Sequence, residues 1–289
     1  MSSLINIITG SVALGAIYAL IALGFVFIYR STAVVNFAHG EFLTLTAWLT
    51  LSIMGAVKVG AVAVILACAC TGVVAMTGYH SLVRPVEKRG LFVAVIATMG
   101  IAFMLDGVML VIWGTGSRSL SLFPTGHVTF ATGAGLSTAN IAVIILAVVL
   151  YIAIVIIDKR FIVGVQMRAA AADRLLASQM GLNVTWLFRG AWFVAGALAG
   201  VAGVAYAGTS LVSSNITMMG LAGLPAALIG GFDSVVGALP GGLLVGLTVT
   251  LTATYVSSAG SFAATYLLLL IFLLVRPQGL FGSARVERV

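Results

Sequence analysis

Charge is what this sequence has least of. Only 7% of its 289 residues are Asp, Glu, Lys or Arg, against about 25% in a soluble domain. So few charges cannot cover a water-facing surface, which excludes a soluble globular protein. The 62% hydrophobic content and a mean hydropathy of +1.23 exclude disorder as well. The two cysteines, Cys68 and Cys70, lie in one apolar run. On a helix they point to nearly opposite sides and cannot bridge, so they read as packing residues. There are three histidines and no His-Glu-x-x-His pattern. A zinc site takes three protein ligands even when catalytic, so neither a metal nor any other cofactor is expected. The lysines are followed by Val59, Arg89 and Arg160, so no P-loop is present. Any ATP hydrolysis linked to this chain belongs to another one. No Lys or Arg precedes Arg30, so the first apolar run reads as a retained helix rather than a cleaved signal.

What is there is long apolar runs, too unbroken for the alternating pattern of a β-barrel. They predict an all-α, polytopic helical bundle with about 8–9 crossings of roughly 20 residues each. The candidate spans are 5–29, 42–57, 60–79, 91–113, 140–157, 188–210, a short one near 218–231, 238–256 and 262–275. No connection reaches the ~50 residues of a small domain, so 1–289 is read as a single membrane domain. With the N-terminus outside, 12 of the 14 Lys and Arg fall on the cytoplasmic side and only Lys58 and Arg118 outside. The C-terminus is then cytoplasmic. The net charge of +7 marks cytoplasmic loops, not a nucleic-acid partner. Gly196, Gly200, Gly203 and Ala207 share one helix face, as do Gly15, Ala19 and Ala22. Small residues let helix backbones approach in lipid.

Few residues carry chemistry. Asn36, His39 and Glu41 put an amide, an imidazole and a carboxylate beside a span. They serve either to satisfy the backbone of an interrupted or capped helix, or to line a solute path, or both. Asp106 is a second intramembrane acid. It is either an ion-coupling carboxylate or a group reaching water or a polar neighbour from the outer end of its helix. Gly230, Gly231, Asp233 and Gly237 interrupt another helical region, as a discontinuous helix at a substrate path or simply as a turn. On the cytoplasmic side, Gln166–Met180 lacks Gly and Pro and reads as one short helix stopped by Gly181. Such a helix is a docking surface for a partner.

Taken in order, several segments resemble the permease subunits of branched-chain amino acid ABC importers, the LivH/LivM type. They are Gly15–Gly24, Asn36–Phe42, Arg84-Pro85, Ala97–Gly100, Arg168-Ala169, Asp173, Gly181–Asn183, Leu198–Gly200, Gly230-Gly231 and the tail Arg276–Gly282. The short tail is closer to LivH. The resemblance implies an inner-membrane helical permease in bacteria, not an enzyme. It also implies a second similar permease, two cytoplasmic ATP-binding subunits, an extracytoplasmic solute-binding protein and surrounding lipid. It places Asn36, His39, Glu41, Thr98, Asp106, Gly231 and Asp233 at the translocation path. Arg168, Asp173 and Leu182 fall in the segment that couples to the ATPases. Three departures, Asp233–Gly237 in place of Gly-Ser-Ile-Pro-Gly, the acid at Asp106 and the bulk of Trp48, touch that path and bear on which solute is carried. A stand-alone carrier using Asp106, and an intramembrane enzyme using His39 and Glu41, are the competing readings.

Overall fold

The computed structural model describes residues 2–123, 126–129 and 135–282. Arg285 and Arg288, assigned above to the cytoplasmic tail, lie outside the described residues. The helices are α1 (Ser2–Thr32), α2 (His39–Ala56), α3 (Gly60–Gly78), α4 (Arg84–Glu87), α5 (Leu91–Trp113), α6 (Thr138–Arg160), α7 (Ile162–Ala172), α8 (Arg174–Gln179), α9 (Val184–Ala207), α10 (Asn215–Gly230), α11 (Ala238–Tyr255) and α12 (Gly260–Val275). A π turn, Tyr79–Val83, joins α3 to α4. Among the described residues, strands enter the fold as two antiparallel ribbons, which composition does not foretell. Arg118–Ser119 (β1) pairs with Leu211–Val212 (β4), and His127–Thr129 (β2) pairs with Gly135–Ser137 (β3).

Among the described residues, six helices are long and apolar enough to cross a membrane. They are Ile7–Thr32, Gly60–Glu87, Leu91–Trp113, Thr138–Arg160, Val184–Ala207 and Ala238–Tyr255. The other three candidate spans fall on α2, whose first turn carries His39 and Glu41, and on the 16-residue α10 and α12. The segment expected as one helix over 166–180 is two. Asp173 is extended (φ −152°, ψ 109°), and its Oδ1 accepts the amides of Leu175 and Leu176 at 2.8 and 3.0 Å. That side chain offers the backbone an alternative to the helical ladder, so α7 ends and α8 begins there.

Helix packing repeats. α1 lies on α11 as α9 lies on α3; α2 sits against α9 as α10 sits against α1; and α2 and α10 meet at the centre. The two four-helix sets, α1-α2-α3-α5 and α9-α10-α11-α12, run in opposite senses. α1 ends at the Arg30–Asp158 pair, whereas α9 begins at that same end, where Arg84 donates to Thr185. This is the inverted repeat common in transporter folds. Small residues set the spacing. A Cβ on Gly196 would lie 2.6 Å from that of Ala75, and one on Gly200 2.6 Å from Thr46 Oγ1. One on Gly203 would collide with the Leu43 carbonyl, and one on Gly242 with the Ala19 backbone. The small-residue faces noted in α1 and α9 are therefore contact faces.

Candidate functional site

After α1 the chain turns at Ala33, whose φ of 56° lies in the left-handed region that costs an L-residue roughly 1–2 kcal/mol. Residues 34–38 then run back alongside α1. His39, the first residue of α2, packs its ring 4.3 Å from Phe25 and places Nε2 3.2 Å from the Ile21 carbonyl. From Ile21 to Thr32, α1 rises about 16 Å. The start of α2 therefore lies well inside the bundle, and α2 is a broken helix.

The break exposes amides that apolar surroundings cannot satisfy, and the polar residues supply partners. The Ala38 amide donates to Asn36 Oδ1 (3.0 Å) and the Phe37 amide donates to Thr98 Oγ1 (3.1 Å). Thr98 in turn donates to the Val95 carbonyl at 2.7 Å. Asn36, His39 and Thr98 are fully buried. Glu41, 6% exposed, accepts a hydrogen bond from Thr217 Oγ1 of α10 at 3.0 Å. Thr217 Oγ1 lies 2.8 Å from Thr44 Oγ1. The two short helices cross backbone to backbone, since a Cβ on Gly220 would strike the Gly40 Cα.

A second break follows α10. Gly231 takes φ +106°, open to glycine and strained for other residues, and ends the helix. The tail folds back over it: the amides of Leu280 and Phe281 donate to the carbonyls of Ile229 (2.8 Å) and Gly230 (3.1 Å). The family-like tail thus caps α10. A cavity of about 610 Å³ joins the breaks, lined by Val35, Phe37, Val95, Leu228, Phe232 and Asp233 among others. Of the predicted path residues, the fold gathers Asn36, His39, Glu41 and Thr98 at the first break and Gly231 and Asp233 at the second. Asp106 stands apart, on the exposed face of α5 but within electrostatic range of Glu41. Sequence reasoning missed Thr217. Its signal was a hydroxyl on an apolar helix, which Thr46 and Thr248 also show while bonding their own helix. Among the described residues, no three His, Cys, Asp or Glu side chains gather as metal ligands.

At the basic end, ion pairs fasten α7 and α8 to the bundle. Asp158 takes Arg30 at 3.1 Å and Arg168 at 3.5 Å. Arg174 pairs with Glu87, donates to the Ser31 carbonyl (3.3 Å) and lies 4.8 Å over the Phe188 ring. Arg168 and Asp173 therefore have partners within the chain: one binds α6, the other caps α8. Leu182 is half-buried, packed on the core. The large apolar residues facing outward at α8 are Leu175, Leu176 and Met180, at 68%, 57% and 84% exposure.

The family model described as "Branched-chain amino acid transport system / permease component" matches residues 7–276. The chain is 28% identical to the Salmonella typhimurium high-affinity branched-chain amino acid transport system permease protein LivH, over 96% of this chain and 95% of that one. It is 24% identical to the corresponding permease protein BraD of Pseudomonas aeruginosa, over 98% and 97%. A probable LivH of Methanocaldococcus jannaschii is 26% identical over 83% and 78%. In fold, the chain resembles a chain of the structure titled "PsaBC from Streptococcus pneumoniae in complex with Fab", with a TM-score of 0.52 at 14% identity, covering 94% and 91%. The chain belongs to the branched-chain amino acid ABC transporter permease family and is LivH-like.

Proposed function

We propose that this LivH-like chain is the translocation subunit of an ATP-driven importer in a bacterial cytoplasmic membrane. Residues 1–289 act as one permease domain, which crosses nine times through α1, α2, α3, α5, α6, α9, α10, α11 and α12. The N-terminus lies outside and the C-terminus in the cytoplasm. The solute is a branched-chain amino acid or a related small polar or carboxylate solute, and the path follows the cavity between the two helix breaks. The observation that carries this reading is the start of α2 inside the bundle, its backbone held by Asn36 and Thr98 beside that cavity. Irregular backbone at membrane depth is tolerated where it is buried in protein or lines a water-filled cavity.

The chain itself is not an enzyme. Two cytoplasmic ATPase subunits hydrolyse ATP, a second similar permease completes the pore, and a solute-binding protein delivers from outside. The apolar residues Leu175, Leu176 and Met180 support α8 as the surface the ATPase grips. Proteoliposomes holding the complete set of subunits test this. Uptake should require ATP, survive an uncoupler, survive Asp106→Asn, and vanish when the P-loop lysine of the ATPase is changed to Ala. If Asp106→Asn and the uncoupler each stop uptake while ATP is held constant, the chain is an ion-coupled carrier instead.

A further inference from the structure

A second cavity, of about 600 Å³, opens between α3, α6, α7 and α9. Its walls are apolar, with Met76, Ile154, Val163, Met167, Leu187 and Val194 among them. Its rim is basic. Arg189 places Nη2 2.6 Å from Nδ1 of His80, which sits in the π turn, and Arg84, which lines an adjoining cavity and donates to Thr185, approaches the same imidazole at 3.5 Å. Guanidinium groups only donate, so two cations share one neutral acceptor. Of the carboxylates at this end, Asp158, which also lines the cavity, holds Arg30 and Arg168, Glu87 holds Arg174, and Asp173 caps α8. Among the described residues, no acid pairs with Arg84 or Arg189.

The depth suits a headgroup. Arg189 lies about 8 Å along α9 from its start, and Trp186 between them is 66% exposed. Tryptophan at that level marks the membrane–water boundary. The lip continues as Phe161, Ile162 and Val163, at 56%, 74% and 53% exposure, directly after Lys159 and Arg160. An apolar slot inside the membrane with arginines near its mouth that no acid neutralises matches one occupant: acyl chain below, negative charge above. We propose that this groove binds one anionic phospholipid, with its phosphate on Arg84 and Arg189 and an acyl chain along the wall formed by Met76, Ile154 and Val194. The inference needs the bundle to sit in a membrane, but not the transport role.

Native mass spectrometry of the purified chain and of the assembled complex, each titrated with phosphatidylglycerol or phosphatidylcholine, tests it. One tightly held phosphatidylglycerol should appear in both, with phosphatidylcholine far weaker. Arg84→Gln with Arg189→Gln should weaken phosphatidylglycerol binding about 30-fold, as two juxtamembrane charges of about 1 kcal/mol each imply. Arg84→Lys with Arg189→Lys should keep the preference, and its retention separates lost charge from misfolding. Equal binding of the two lipids, or an unchanged preference in the Gln pair, overturns the proposal. So does displacement by glycerol 3-phosphate at matched concentration, which would make this a soluble-anion site. Binding to the free chain but not to the complex gives the groove to a neighbouring subunit and also overturns it.

Discussion

A carboxylate at 6% exposure needs a donor, and Glu41 has the hydroxyl of Thr217. Thr217 spends its one proton on Glu41, so in the 2.8 Å contact it accepts from Thr44, whose proton also has the Gly40 carbonyl within 3.3 Å, and the order is Thr44, Thr217, Glu41. Thr217→Val keeps the shape and removes the link. It should destabilise the purified protein by about 1–3 kcal/mol, the cost of an unsatisfied buried acceptor. Thr217→Ser should be nearly silent. In a Glu41→Gln background the penalty should shrink, because a charge-assisted bond has become a neutral one. Thermal melts of the four combinations give the coupling; equal penalties in both backgrounds would show that Thr217 acts only by packing. The acid was legible in the sequence because it interrupts an apolar run. Its partner was not, because the two lie 176 residues apart and a threonine on an apolar helix ordinarily bonds its own backbone. A separation of 128 residues hid the Arg30–Asp158 pair in the same way.

Helices were legible as elements because their apolar lengths are long and their ends are punctuated. What composition could not say is which glycines touch. In α11 and α5 the residue is the same but the surroundings differ: a Cβ on Gly242 meets the Ala19 backbone, whereas Gly107 has nothing within 4 Å. Gly242→Ala should therefore cost about 1–3 kcal/mol through overpacking. Gly107→Ala should be neutral or stabilising by up to about 1 kcal/mol from helix propensity. Melting temperatures of the two variants check this, and a stable Gly242→Ala would mean that α1 and α11 are less closely seated than described. The division of the basic-end helix at Asp173 was also illegible. Ala, Leu, Gln and Arg around it favour helix, and only the side chain's turn toward Leu175 and Leu176 decides otherwise.

Ten of the twelve described basic residues gather at one end of the molecule, and Lys58 and Arg118 stand at the other. If that basic end is cytoplasmic, cysteine placed at 58 or 118 should react with a membrane-impermeant maleimide in intact cells, in a Cys68→Ala, Cys70→Ala background. Cysteine at 88 should react only after the membrane is opened. The reverse pattern would invert the bundle. This charge asymmetry was plain in the sequence, whereas the inverted repeat was not, because the two four-helix sets share packing rather than motif. The repeat has a mechanical consequence. Where α1 meets α11, and at Gly203 where α9 meets α2, backbone lies on backbone with almost no side chain between. Such a seam has no rotamers to rearrange and no cushion to compress, so it can slide as a block or separate, but not flex. The two seamed helix pairs are therefore the stiffest parts of the bundle. Any movement between these helices then falls on segments outside the seams, of which the turn from Ala33 to Ala38, entered at a positive φ, is one.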